Sequence, residues 1–97
     1  MFFTGKRTDA DKIKEELVIL IDENTEVIYK VVFYSKPEVQ SIMNRVFEEW
    51  ERNNRQGRPI DYATEEELQL LYKIAKDILK KKPAELWAEY WRESMRT

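Results

Sequence analysis

Few kinds of side chain here could do chemistry. The chain contains no histidine and no cysteine. The commonest general base, the thiolate nucleophile and the usual ligands of zinc and softer metals are therefore missing. Its two glycines, Gly5 and Gly57, stand far apart and cannot build a phosphate-cradling loop. The acidic groups Asp22/Glu23, Glu48/Glu49 and Glu65-Glu66-Glu67 are the only candidates for acid–base or hard-metal work. The last of them has a sufficient explanation at a helix N-terminus, where carboxylates complement the helix dipole. Asp61 and Tyr62 read as anchors of a loop. No catalytic residue, cofactor or metal is expected, and an enzyme is the weakest functional reading.

Two other groups are suited to binding. Trp87, Tyr90 and Trp91 fall within five positions near the C-terminus. Tryptophan and tyrosine anchor protein interfaces, and they also fill the cores of small domains. The core reading takes precedence for Trp87 and Trp91, and the interface reading makes all three the candidate protein-binding residues. The second group is basic: Arg52, Arg55 and Arg58, then Lys80-Lys81-Lys82, with Lys6 and Arg7 as a shorter cluster. Converging on one surface, these would follow a phosphate backbone. The simpler reading pairs Arg52 with Glu48 and Arg55 with Glu51, and leaves the lysines at a helix C-terminus. A net charge of −2 argues against a strong field for nucleic acid or an anionic membrane.

The elements that must position these residues follow from the pattern. The 97 residues suit a single domain. Residues 1–35 read as a hairpin region and 36–97 as a helical region. Leu17–Ile21 and Val27–Tyr34 are β-branched and aromatic runs flanking a polar turn, which is a hairpin signal, with Asn24 suited to a positive φ at the tip. Residues 9–16 are assigned a helical turn. A rival reading continues that helix to residue 21, with Ile13, Leu17, Leu20 and Ile21 on one face. Met1-Phe2-Phe3 would add an edge strand.

Ser35-Lys36-Pro37-Glu38 has capping-box spacing ahead of a helix over about 37–53, whose stripe includes Val39, Ile42, Met43, Val46, Phe47 and Trp50. Thr64 to Glu67 repeats that spacing before a helix carrying Leu68, Leu71, Tyr72, Ala75, Ile78 and Leu79. Pro83 starts the last helix. The expected fold is α+β: a small antiparallel hairpin or three-stranded sheet packed with three helices in the C-terminal two-thirds.

Ile19–Val31, followed by Ser35–Glu38 and a helix, resembles the closing hairpin and final helix of thioredoxin-like domains. No Cys-x-x-Cys accompanies it, so the resemblance implies neither activity nor site. The layout of a short sheet joined to helices also resembles small phage and archaeal-virus proteins, some of which inhibit host defence.

The function these readings favour is a non-catalytic protein-binding module, a small regulator or inhibitor of viral or mobile-element type. Both faces of the second strand are apolar, so a homodimer is expected to cover one of them. The alternative is a nucleic-acid-binding accessory protein using the arginines and lysines. A third reading is a designed or stabilised domain without a native function, since abundant Glu and Lys with few Asn and Gln mark designed and hyperthermophile sequences alike. Thermostability is expected on the same ground. The start is too poor in apolar residues for a signal peptide, and no run is long enough to cross a membrane, so a cytoplasmic location is expected.

Overall fold

The computed structural model describes residues 9–95. Five α-helices order them: α1 Asp9–Leu17, α2 Val27–Ser35, α3 Pro37–Arg52, α4 Glu65–Leu79 and α5 Pro83–Ser94. A π-helical turn, Val18–Asp22, prolongs α1, and a 3₁₀ turn, Pro59–Tyr62, lies between α3 and α4. There is no strand among the described residues, so the α+β expectation is overturned. The likeness to a thioredoxin-like hairpin falls with it. The edge strand expected at Met1–Phe3 lies outside the described residues.

Burial shows why both apolar runs are helical. A strand would place residues 17, 19 and 21 on one face. Instead Leu17 and Ile21 are buried while Ile19 is 59% exposed. Ile13, Leu17 and Ile21 recur at i, i+4 and i+8, as the rival reading required. The amide of Glu23 donates to the Val18 carbonyl at 2.8 Å, the i→i−5 bond of a π turn. In α2 the buried residues are Ile28, Tyr29, Val32 and Phe33, a helical stripe that strand alternation cannot produce. β-Branched residues prefer strands only when a pleated neighbour is there to receive them. Here helices supply the surface, and α2 packs on α3, α4 and α5.

The turn between these segments also differs from a hairpin tip. Asn24 is not among the residues with positive φ. Its side chain shapes the turn instead: Oδ1 accepts from the Glu26 amide at 2.8 Å, and Nδ2 donates to the Leu20 carbonyl at 3.1 Å.

The helices after it match their expected spans closely. The box expected at Ser35 is not formed, because Ser35 ends α2 and its hydroxyl donates to the Val32 carbonyl at 2.8 Å. Lys36 is the N-cap of α3, with Pro37 opening the first turn. The box at Thr64 is complete: Thr64 Oγ1 accepts from the Glu67 amide at 3.1 Å, and Glu67 Oε1 accepts from the Thr64 amide at 2.8 Å.

Val39, Ile42 and Val46 carry the buried stripe of α3. Phe47, which the spacing puts on the same stripe, is 45% exposed and stands edge-on to Trp50 at 6.0 Å. Trp50 itself ties down the following loop, its Nε1 donating to the Gly57 carbonyl at 2.9 Å. That loop turns through left-handed backbone at Asn54, Arg55 and Gly57. One apolar cluster, from Ile13 to Leu86, draws on all five helices and contains no buried polar residue.

Candidate functional site: the outer face of α5

α5 begins where Pro83 meets Lys82, its N-cap, and Glu85 accepts from the Lys82 amide at 2.8 Å. Behind the helix, the Tyr29 hydroxyl donates to the Lys81 carbonyl at 2.8 Å and holds the α4–α5 joint against α2. Leu86 is the one residue of α5 that is buried. Tyr90 is half-buried against the core and edge-on to Trp87 at 6.3 Å.

At 100° per residue the rest of the helix divides cleanly. Ala84, Trp87, Ala88, Trp91 and Met95 share an arc of about 100°, and all five are exposed. Exposure reaches 58% at Trp91 and 79% at Met95. Glu85, Glu89, Arg92 and Glu93 occupy the remaining circumference. The two indoles alone offer solvent on the order of 200 Å². With Met95 and the alanines, the patch approaches the largest that monomeric proteins ordinarily expose.

The core reading of Trp87 and Trp91 is thereby corrected. Leu86 takes the inward position, and the tryptophans, one and five residues further on, are carried round to the open side. Of the three aromatic candidates, the structure brings Trp87 and Trp91 onto one outward face and turns Tyr90 toward the core. Ala84, Ala88 and Met95 complete that face. A helical projection of residues 83–95 separates them from Leu86 and Tyr90, so the signal was present in the sequence.

The basic candidates belong to two different joints and are engaged locally. Arg52 pairs with Glu49 at 3.0 Å rather than with Glu48, Arg55 with Glu51 at 2.8 Å, and Arg58 with Asp61 at 3.2 Å. Arg55 also lies over the Trp50 ring. Lys80 pairs with Asp77 at 3.5 Å and Lys81 with Glu89 at 2.7 Å, which holds the Glu89 carboxyl below its usual range. Lys82 is exposed at the α5 N-cap. Lys6 and Arg7 lie outside the described residues.

The acidic candidates are similarly placed. Asp22 accepts from the Tyr34 hydroxyl at 2.7 Å. Burial, together with that bond and the Asp22 charge, raises the Tyr34 phenol far above its ordinary value. Glu67 receives Arg45, whose Nε donates at 2.7 Å and whose Nη2 also reaches the Tyr62 carbonyl at 2.9 Å. The guanidinium, followed by the Thr64 amide, holds Glu67 below its ordinary value against the opposing effect of burial.

Asp61 is an anchor, as expected. It accepts from the Arg58 amide at 2.9 Å and from Lys14 Nζ at 3.3 Å. Burial acts to raise its carboxyl, but these donors outweigh it and the net shift is downward. Tyr62 donates to the Gln56 carbonyl at 2.7 Å.

Away from α5, a concavity of about 320 Å³ opens between α1, α2, α3, α4 and the 3₁₀ turn. Phe33, Tyr34, Met43, Phe47, Ile60 and Leu71 form half of its lining, and Lys14, Asp22 and Arg58 are among the rest. It is mostly apolar and lies near the lower size limit of ligand pockets.

No family model, curated protein or solved structure matches this chain. Among the described residues, no helix is long and apolar enough to cross a membrane.

Proposed function

We propose that this chain is a non-catalytic protein-binding module whose contact surface is the outer face of α5. The carrying observation is that Trp87, Trp91 and Met95 stand exposed at i, i+4 and i+8 on a helix already anchored by Leu86. Packing does not require them there, and indole is the side chain most enriched among interface anchors. An amphipathic helix presenting such anchors is a common means of entering a partner's groove. The role this suits is that of a small regulator or inhibitor, acting by covering a partner's surface.

The nucleic-acid reading draws less support. Five of its six residues already face carboxylates, and binding phosphate would mean exchanging those pairs.

Site-specific photocrosslinking tests the proposal. A photoreactive phenylalanine analogue at position 91 should give discrete crosslinks to polypeptide in lysate, while the same analogue at exposed Glu66 should give none. Equal labelling from both positions would refute it. Retardation of DNA or RNA that weakens steeply with salt would favour the basic residues instead.

A further inference from the structure

We infer that the partner of the α5 face is a second copy of this chain, packed as an antiparallel α5–α5 pair about a two-fold axis between residues 89 and 90. This inference rests on the reading of that face as a protein interface, and it names the occupant.

Ala84, Ala88, Trp91 and Met95 are spaced by four, three and four residues, the repeat of a helix–helix seam. Its two halves differ in size: alanines fill the first and large side chains the second. A parallel pair would set Trp91 against Trp91 and leave voids between the alanines. An antiparallel pair sets Ala84 opposite Met95 and Ala88 opposite Trp91, so each large side chain lies over a small one. Volume complementarity therefore selects the antiparallel orientation, which closes as a two-fold dimer.

Charge selects the same orientation. Glu85 and Arg92 lie on one flank of the seam, and both are exposed. In an antiparallel pair, residues of the same flank meet, so Glu85 of each copy faces Arg92 of the other, twice by symmetry. The acidic N-terminal turn of one helix also lies beside the C-terminal turn of its neighbour, which aligns their dipoles favourably. Trp87 closes the opposite flank.

The seam is short and buries less than the roughly 800 Å² per partner of a standard interface. A weak, reversible dimer is therefore expected.

Sedimentation of the full chain between about 1 µM and 1 mM tests this, a range that spans weak, reversible association. The mass should rise from monomer toward dimer. Trp91→Ala and Ala88→Trp should each weaken association by about tenfold or more, one by leaving a hole and the other by overfilling the seam. The double variant Ala88→Trp/Trp91→Ala exchanges the two sizes across the axis and should recover association to within about threefold of the parent. Arg92→Glu should weaken it independently, and circular dichroism should show all variants equally helical.

A parent that stays monomeric throughout the range would overturn the second-copy inference. If position 91 still crosslinks to a different polypeptide, the protein-binding reading survives that result. A dimer unaffected by Trp91→Ala and Arg92→Glu, or a double variant no better than the worse single one, would overturn the α5 pairing.

Discussion

α4 and α5 are neighbours in sequence with similar apolar patterning, and the fold uses them differently. In α4, Leu68, Leu71, Ala75 and Ile78 are all buried, a complete capping box opens the helix, and the apolar stripe is consumed by the core. In α5 only Leu86 is buried, and the larger share of the apolar surface faces solvent. One helix stabilises the domain and the other uses it as a platform. Apolar residues at helical spacing do not by themselves distinguish these roles. What distinguishes them is whether one stripe or two is present on the helix.

Substitutions can test this contrast, and the largest effect belongs to α4. Leu71 is 1% exposed, and Leu71→Ala should lower unfolding stability by about 2–5 kcal/mol in denaturant titration. A loss near that of a surface site would mean that α4 is not part of the core.

Removing the α4 cap should cost less. Thr64→Ala should destabilise by about 1 kcal/mol, as N-cap truncations do. Phe47→Ala should also cost about 1 kcal/mol, because half of the ring is already in water and its edge contact with Trp50 is the main loss. A loss several times larger would place Phe47 in the core after all.

The Arg45–Glu67 pair gives α4 a pH signature. Glu67 has a folded-state pKa below its ordinary value of 4.5, so the folded state releases this proton more readily than the unfolded chain. The pair therefore stabilises above about pH 4.5, and its contribution fades as pH falls below that toward the folded value. Glu67→Gln should reduce stability at neutral pH and converge with the parent in strong acid. Because Arg45 is partly exposed, salt should narrow the difference.

The smallest effect on stability is expected from α5. Trp91→Ala should change unfolding stability by less than about 0.5 kcal/mol, as ordinary surface substitutions do. The same change should weaken association by about tenfold or more. A large stability loss would move Trp91 from platform to core.

The sequence was informative wherever a local rule had no competitor. Thr64 and Glu67 specify a helix start because each satisfies the other's backbone amide, an arrangement that four successive positions complete locally even though Glu67 also receives Arg45. Pro37 and Pro83 mark first turns because a fixed φ and a missing amide suit that position. Apart from exposed Leu70, the apolar residues of α4 fall mostly on one side, so the burial of that stripe follows directly. The sequence also excluded histidine and cysteine chemistry outright, and it gathered Trp87, Tyr90 and Trp91 on one helix.

Tertiary structure decided what local preference left ambiguous. Val18–Ile21 and Val27–Phe33 have the composition of strands, yet Ile21, Ile28 and Val32 become buried as parts of helical stripes. Paired with each other they would form a hairpin, which is marginal alone, whereas α3, α4 and α5 offer apolar surfaces that receive a helix. Which of Trp50, Trp87 and Trp91 would be enclosed was also decided in three dimensions. Trp50 found a carbonyl for its indole N–H at Gly57, and Leu86 filled the inward position on α5. Once one leucine on that helix faces the core, the 100° step between residues fixes where Trp87, Trp91 and Met95 must point.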